Sequence, residues 1–386
     1  MAYWKFWGLA AADKGVIWLA QNTNYNYPAG FAYLLWLIGK VYRLLGNPEN
    51  FDQFWSSANY LFLFLAKLPS ILADLGVTYI IYQFTLQATK KSNQLAIGLS
   101  AIYLFHPVVL MDGVWWGQVD SLLMFFLIAG LYFLFREKPL WATVMIIMGF
   151  LMKFQIMIVL PLYFVYLWRK YSWRELGKNL LAAAGIFALG NLQFILTGNI
   201  PTVVSLITRN ADWFPVLSLR AFNFWWLYSK GQGLVVSDKI LVIAGLNAKT
   251  VGLILFSLAY GLACLLILIK PNRKNLILSL IMAFFSFYIF PTQSHDRYLF
   301  PALILLLILL PEKKYLIFFG LLSITTLFNL NISILAEYPA NGLPLISRLN
   351  FPSLSLIIAV LNLILYFLFA GWIIKLIAYE AKKIIH

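Results

Sequence analysis

Charged residues are scarce in this sequence. Asp, Glu, Lys and Arg make up only 11% of the 386 residues, whereas 62% are hydrophobic. Soluble globular domains carry about 25% charged residues, so this composition excludes an ordinary soluble enzyme. We predict an all-α, polytopic integral membrane bundle of about ten or eleven spanning or half-spanning helices. The predicted spans include Leu95–Leu110, Ser121–Phe135, Leu180–Leu196, Val251–Ile269, Leu276–Ile289, Tyr315–Leu335 and Leu354–Ile374.

Cysteine and histidine are also rare. The single cysteine, Cys264, lies inside an apolar run, which excludes an intrachain disulfide and indicates a small core residue. The three histidines, His106, His295 and His386, have no metal-ligand spacing. We therefore expect no metal centre and no cofactor, although carboxylates alone could still bind a divalent cation.

Acidic residues number 14 against 29 basic ones, which gives a net charge of +15. The basic residues form short clusters between apolar runs, such as Lys90–Lys91 and Lys313–Lys314. This placement follows the positive-inside rule, so it indicates cytoplasmic loops and a lipid bilayer rather than a nucleic-acid partner. The intervening loops should face outward, and these are Met111–Asp120, Thr197–Gly233, Pro291–Tyr298 and Glu337–Asn350.

We predict one transmembrane domain over residues 1–386, with interfacial helices in its outer parts. Residues 1–29 read as an outer interfacial segment, and residues 198–239 as an outer loop with an interfacial helix. The segment Pro139–Trp168 has basic residues at both ends, which indicates that both ends are cytoplasmic, but it is too short for two full spans. It should therefore enter the membrane and return as two short helices with Lys153 at the turn. The run around Pro69 is either one kinked helix or a hairpin.

The stretch "FHPVVLMDGVWWGQVDSLL" gathers polar and aromatic groups at the outer end of a span. Asp112, Gln118 and Asp120 could hydrogen-bond sugar hydroxyls, and Trp116 offers a flat apolar face for a sugar ring. The alternative is a capped helix start, with Asp120 near the N-terminus and tryptophans in the interfacial belt.

The stretch "SHDRYLFP" places three ionisable residues between apolar runs. Arg297 offers a planar fork for phosphate oxygens, and His295 can donate to a phosphate or move a proton. The alternative is a loop salt bridge between Asp296 and Arg297. Lys153 is a further candidate for the phosphate, and Arg220 for the substrate or for lipid headgroups.

Six motifs in order, "NYPAG", "KLPSILADL", "HPVVLMDGVWWGQVDSL", "LMKFQIMIVLPL", "AFNFWWL" and "SHDRYLFPAL", resemble the GT-C superfamily of polytopic glycosyltransferases. Within it, they are similar to bacterial membrane proteins related to the second GPI mannosyltransferase. Trp116, Gln118 and Asp120 match that family's W-G-Q-x-D motif. His295, Arg297 and Tyr298 match its H-E-R-Y motif, in which Asp296 replaces a glutamate.

The resemblance implies transfer of a sugar from a polyprenyl-phosphate carrier with inversion and without a nucleotide. An acid in the first outer loop would act as general base, and His295, Arg297 and Tyr298 would bind the phosphate. In the family, a first spanning helix and then an acid precede an aromatic pattern like "YWKFWGL", and Met1 falls where that acid would stand. We expect one of three explanations: an N-terminally shortened chain, an internal Met taken as the start, or catalysis by another carboxylate. Asp13 is the acid left in this loop, so the catalytic candidates are Asp120, Asp13 and His295.

Two functions of different classes follow. The first is a membrane glycosyltransferase that moves mannose or another hexose from a polyprenyl-phosphate donor to a glycan, lipid or protein acceptor. The second is a carrier or flippase for a lipid-linked sugar, and a shortened, inactive transferase is a further possibility. Because the polar residues cluster in the outer loops, we favour the transferase, with its site on the extracytoplasmic face of a prokaryotic plasma membrane.

Overall fold

The computed structural model describes residues 1–88, 92–338 and 351–385. Lys90–Lys91, most of the predicted outer loop Glu337–Asn350, and His386 lie outside the described residues. Within the described ranges the chain is predominantly helical. An antiparallel hairpin of Leu241–Ile243 and Leu246–Asn247 is the one sheet there, and the sequence reasoning did not predict it. The predicted all-α membrane fold is confirmed.

Five helices in the described ranges are long and apolar enough to cross a membrane. Helical spans are expected because only they satisfy every backbone hydrogen bond within one segment in lipid. The protein is therefore a polytopic membrane protein, and the count of about ten or eleven, which includes half-spanning helices, stays a prediction. The five helices are Phe51–Ala88, Asn93–Trp116, Ala248–Ile269, Lys313–Glu337 and Pro352–Lys383, with shorter apolar helices at Asp120–Phe135, Pro139–Met152 and Phe300–Leu309.

The described chain forms two compact units, each assembled from segments that are distant in sequence. The first unit comprises Met1–Ile80, Gly113–Met157 and Arg174–Trp213. The second unit comprises Ile81–Asp112, Ile158–Trp173 and Phe214–His386. The single domain over residues 1–386 stays a prediction.

The first unit has an aromatic core in which the two N-terminal helices pack on the third. Gly39 permits this packing, since a Cβ at Gly39 would lie 2.2 Å from the carbonyl oxygen of Gly8. The segment predicted as an interfacial helix is two helices separated by Gly15, whose φ is +90°. The helices of this unit are Ala2–Lys14, Val16–Asn22, Ala29–Leu45, Phe51–Trp55, Tyr60–Ala88 as far as Ile80, Asp120–Phe135, Pro139–Met152, Trp173–Gly190, Leu192–Leu196 and Ile200–Arg209, with a 3-10 turn at Asn210–Asp212.

The backbone decides two local predictions, one at Pro69 and one at Lys153. Tyr60–Ala88 is one continuous helix with Pro69 inside it, so the hairpin alternative is wrong. The helix Pro139–Met152 ends where predicted, because Lys153 is extended (φ −151°, ψ 126°). A 3-10 helix, Phe154–Ile158, follows at once.

The second unit starts several helices with asparagine caps, which satisfy the free N–H groups of the first turn. Asn247 Oδ1 accepts from the N–H of Thr250 at 2.8 Å, and Asn272 Oδ1 accepts from the N–H of Asn275 at 2.8 Å. The helices of this unit are the end of Tyr60–Ala88, Asn93–Leu104, Pro107–Val109, Val159–Lys170, Phe224–Tyr228, Ala248–Ile269, Arg273–Ile289, Phe300–Leu309, Leu316–Glu337 and Phe351–Ile385, with a 3-10 turn at Lys313–Tyr315. A π-helix, Leu110–Trp116, runs across the boundary between the two units.

Candidate active site

The turn "WWGQVD" leads from the π-helix Leu110–Trp116 into the helix that begins at Asp120. Gly117 allows the chain to turn here, because its φ of +80° lies in the left-handed region that residues with a side chain seldom adopt. Lys67 Nζ donates to the carbonyl oxygen of Val114 at 2.6 Å, and Ser70 Oγ donates to that of Gln118 at 3.0 Å. These hydrogen bonds hold the backbone of the predicted sugar-binding motif against the spanning helix that contains Lys67 and Ser70.

A second tie comes from the N-terminal helix. Trp4 Nε1 donates to the carbonyl oxygen of Gly117 at 3.1 Å, and the ring of Trp4 is packed in the aromatic core. The side chains of Trp116 and Gln118 are half-buried, whereas Trp115 is 52% exposed. The turn therefore keeps two of the predicted sugar-contacting side chains partly accessible.

Asp120 and Lys153, which the sequence placed in different predicted roles, form one buried ion pair. Lys153 Nζ lies 2.5 Å from Asp120 Oδ1, and the side chains are 7% and 0% exposed. Lys153 reaches Asp120 from the break after Met152, where the chain is extended. At this burial each charge depends on the other, because an isolated charge in a low-dielectric interior is costly.

Asp13, the other predicted catalytic acid, lies in a different setting in the same unit. Its Oδ1 accepts from Arg43 Nε at 2.6 Å and its Oδ2 from Arg43 Nη2 at 2.7 Å. The two side chains are 36% and 34% exposed. Both carboxylate oxygens of Asp13 are thus engaged by one guanidinium, and the catalytic role of Asp13 stays a prediction.

The "SHDRY" loop joins the helices Arg273–Ile289 and Phe300–Leu309 in the second unit. Arg297 Nη1 lies 3.5 Å from Asp296 Oδ1, and both residues are buried. The predicted loop salt bridge therefore exists. A guanidinium is also the side chain best suited to bind phosphate oxygens in pairs, so the role of Arg297 as a phosphate ligand stays a prediction.

His295 lies among aromatic rings and is half-buried. Its ring centroid is 5.0 Å from that of Tyr298 and 5.7 Å from that of Phe214, at interplanar angles of 65° and 90°. These two ring contacts restrict the orientation of the imidazole. His295, Arg297 and Tyr298, which the sequence grouped as donor-binding residues, thus occupy one loop of one unit.

Arg220 is brought to the same loop from a distant part of the sequence. The N–H of Leu219 donates to the carbonyl oxygen of Ser294 at 2.9 Å. The backbones of Arg220 and His295 form an isolated antiparallel β-bridge. The Nη1 of Arg220 lies 2.6 Å from Glu337 Oε1. The φ of Arg220 is +60°, a backbone conformation that non-glycine residues seldom adopt and that clusters at functional sites.

Buried amides hold the Arg220 segment, and the sequence reasoning did not single them out. Asn329 Nδ2 donates to the carbonyl oxygen of Arg220 at 2.7 Å, and Asn329 Oδ1 accepts from the N–H of Phe222 at 3.1 Å. Asn362 Nδ2 donates to the carbonyl oxygen of Phe222 at 2.9 Å. The sequence did contain a signal for them, because an amide side chain inside a predicted span, here Tyr315–Leu335 or Leu354–Ile374, is expected to have a specific polar partner.

The predicted residues therefore fall into two groups. The first unit holds Asp120, Lys153, Trp116, Gln118 and Asp13, and of these Asp120 and Lys153 are in direct contact. The second unit holds His295, Arg297, Tyr298, Arg220 and Asp112, and the first four of these gather around one loop. Asp112 is fully buried. Their catalytic and binding roles stay predictions.

Burial raises the pKa of Asp296 from 3.8 to about 6, and this is the largest effect on that carboxyl. Arg297, a hydrogen bond from Ser333 and the charge of Arg220 act in the opposite direction. The folded protein thus binds a proton at Asp296 more tightly than the unfolded chain does. The stability that this carboxyl contributes is fully present below pH 3.8 and is lost as the pH rises through about 6.

We expect the melting temperature of the wild type, relative to that of an Asp296→Asn variant, to fall as the pH rises from about 4 to about 6. Taking the difference removes the contributions of titratable groups that do not interact with Asp296. The measurement is thermal unfolding of the purified proteins in detergent at several pH values. A difference that is flat over this range would mean that Asp296 keeps an ordinary pKa.

Comparison with known proteins places the chain among membrane glycosyltransferases. Residues 17–336 match the ALG6, ALG8 glycosyltransferase family. A dolichyl pyrophosphate Glc1Man9GlcNAc2 alpha-1,3-glucosyltransferase of Arabidopsis thaliana is 25% identical over 245 residues, which are 58% of this chain and 45% of that protein. The protein of the same description in Neurospora crassa is 25% identical over 244 residues, 57% of this chain and 47% of that protein. The match thus covers less than half of each relative.

These matches support the GT-C superfamily and a multi-pass membrane location. They do not support the specific likeness to proteins related to the second GPI mannosyltransferase, nor the plasma membrane, because both relatives are described as glucosyltransferases with dolichyl pyrophosphate in their names. The family match covers the whole length over which the six motifs occur. The chain belongs to the ALG6, ALG8 glycosyltransferase family.

Proposed function

We propose that this chain transfers a hexose from a polyprenyl-phosphate donor to a glycan carried on a membrane lipid, on the extracytoplasmic face. The observation that carries the proposal is the "SHDRY" loop, in which buried Arg297 lies beside His295 and Arg220 at the end of apolar helices. Two guanidinium groups and an imidazole at that position suit a phosphate that is tethered to an isoprenoid chain.

We propose glucose rather than mannose as the transferred sugar. The support is the description of the two relatives, both of which are alpha-1,3-glucosyltransferases that act on a dolichyl pyrophosphate-linked glycan. Glucose and mannose differ in the orientation of one hydroxyl, so the choice depends on a small number of hydrogen bonds. The half-buried Trp116 and Gln118 are the candidates for these contacts.

In the proposed reaction, an acceptor hydroxyl oxygen attacks the anomeric carbon of the donor. The new glycosidic C–O bond forms while the bond from that carbon to the phosphate oxygen breaks, and polyprenyl phosphate leaves. Arg297 and His295 stabilise the negative charge that develops on the leaving phosphate. A carboxylate accepts the hydroxyl proton, and Asp120, whose Oδ1 is held by Lys153, stays the predicted candidate for that role. No cofactor enters this scheme.

The test is transfer by the purified full-length chain in detergent or liposomes. It is supplied with polyprenyl-phosphate glucose or mannose, and with a polyprenyl pyrophosphate that carries a short glycan. We expect the glucose donor to yield free polyprenyl phosphate and a glycan one hexose longer by mass spectrometry, with the rate unchanged by EDTA. A matched reaction without acceptor controls for donor hydrolysis.

Other outcomes would overturn parts of the proposal. Movement of the lipid-linked sugar between liposome leaflets without bond cleavage would identify a carrier. Preference for the mannose donor would overturn the sugar assignment alone. Loss of the reaction in EDTA, with recovery on adding a divalent cation, would contradict a scheme without a metal.

A further inference from the structure

Asp238 is a buried acid of the second unit that the reaction scheme above does not use. Its side chain is fully buried, and its neighbours in sequence, Ser237 and Lys239, are exposed. Asp238 Oδ2 accepts from Thr292 Oγ1 at 3.0 Å and from Gln293 Nε2 at 2.8 Å. One carboxylate oxygen thus holds two successive side chains that directly precede the "SHDRY" loop residues.

Gln293 is held in an unusual conformation by several contacts. Its φ is +61°, in the left-handed region, which a residue with a side chain occupies only when its surroundings fix it. Its N–H donates to the carbonyl oxygen of Val216 at 3.2 Å, and its Oε1 accepts from the N–H of Phe214 at 3.3 Å. Together with the bond to Asp238, these contacts determine the direction in which the chain leaves Gln293 toward His295.

We propose that Asp238 is a positioning residue that sets the placement of His295 and Arg297 through Thr292 and Gln293. This inference rests on the proposed function, because it assigns Asp238 to the phosphate end of that site. Asp238 touches neither His295 nor Arg297 in the described contacts, so its influence passes through the loop. We call the contacts of Asp238 with Thr292 and Gln293 the Asp238 latch.

The Asp238 latch requires a side chain at position 238 with an oxygen that can accept two hydrogen bonds. Oδ2 accepts both hydrogen bonds, and Oδ1 is buried without a hydrogen-bond partner among the described residues. An asparagine can place its carbonyl oxygen where Oδ2 lies and keep both bonds, although without the charge that strengthens them. An alanine loses both bonds. The latch therefore predicts that asparagine largely preserves the loop and that alanine does not.

The first arm of the test is hydrogen exchange of the ligand-free protein, which does not depend on any enzymatic activity. We expect faster amide exchange in peptides covering residues 290–298 for Asp238→Ala, and about two- to tenfold faster exchange for Thr292→Val, which removes one hydrogen bond at nearly constant volume. Asp238→Asn should stay within about threefold of the wild type. Asp52→Asn, at an exposed acid of the first unit, is the matched control and should change nothing.

The second arm is turnover with the lipid-phosphosugar donor. Thr292→Val should lower kcat about fivefold, and this effect should be absent in an Arg297→Lys background, where the group that is being positioned has already been altered. A merely structural role of Thr292 would lower activity equally in both backgrounds. If Asp238→Ala does not fold, Thr292→Val carries both arms.

The latch is overturned if exchange over residues 290–298 is unchanged in Thr292→Val, or if Asp238→Asn behaves like the alanine variant, since charge and not hydrogen bonding would then matter. A wild type that shows no transfer overturns the proposed function instead. In that case the exchange arm still decides whether the latch exists.

Discussion

Replacing Arg297 with alanine is expected to lower the rate of sugar transfer by about 100-fold or more. Arg297 is the buried cation of the "SHDRY" loop, and its guanidinium is the proposed partner of the leaving phosphate. Removing a donor that faces developing negative charge usually has an effect of this size, because a dry site screens charge poorly. The measurement is kcat/KM for the lipid-phosphosugar donor with purified protein.

A second cause of inactivity must be separated from the first. Without Arg297, the buried Asp296 loses the cation at 3.5 Å, and the loop could deform for that reason alone. The double variant Asp296→Asn/Arg297→Ala also removes the carboxylate charge that Arg297 had balanced. We expect it to recover the wild-type melting temperature but not the activity.

The matched control for Arg297 is Lys239→Ala, which removes one positive charge from an exposed position in the same unit. It should leave transfer within about twofold, because an exposed charge is screened by solvent and salt. If Arg297→Ala keeps activity near the level of this control, or if the double variant regains activity, Arg297 does not serve the leaving group.

Helices and their breaks could be predicted from the sequence where the lipid environment determines them. Apolar runs such as Val251–Ile269 became helices because a lipid-embedded backbone must satisfy its own hydrogen bonds. The break at Lys153 was predictable for the same reason, since a lone lysine interrupts the run. The continuity of the helix through Pro69 was not, because the sequence alone does not say whether the missing N–H is tolerated or ends the helix.

Long-range polar contacts were the part that sequence reasoning missed. Asp238 meets Thr292 and Gln293 across more than fifty residues, and Arg220 meets Glu337 across 117. The dipeptide Asp238–Lys239 reads as an ordinary exposed turn, because nothing local shows that the acid is covered by another segment. The sequence likewise named Asp120 and Lys153 separately, since their contact depends on how two helices of the first unit pack.

The Asp120–Lys153 pair carries the other large expected effect, this time on stability. Replacing Lys153 with methionine, which is similar in length and apolar, leaves the fully buried Asp120 carboxylate without its cation. Removing one partner of a buried ion pair costs about 3–5 kcal/mol of stability. We therefore expect a large fall in melting temperature and in yield of folded protein in detergent.

Lys274→Met is the matched control, because Lys274 pairs with Glu312 at 2.6 Å but the two side chains are 39% and 44% exposed. Solvent screens such a pair, so its loss should cost at most about 1 kcal/mol. Equal melting temperatures for the two methionine variants would show that burial does not make the Asp120–Lys153 pair special.

The double variant Asp120→Asn/Lys153→Met separates folding from chemistry. Neutralising both partners removes the unpaired charge, so most of the lost stability should return, as it does when buried ion pairs are replaced by neutral groups. Activity should not return, because an asparagine has no lone pair basic enough to accept the proton of the acceptor hydroxyl. A double variant that is both stable and active would show that the pair only holds the first unit together, and the role of base would then pass to a different carboxylate.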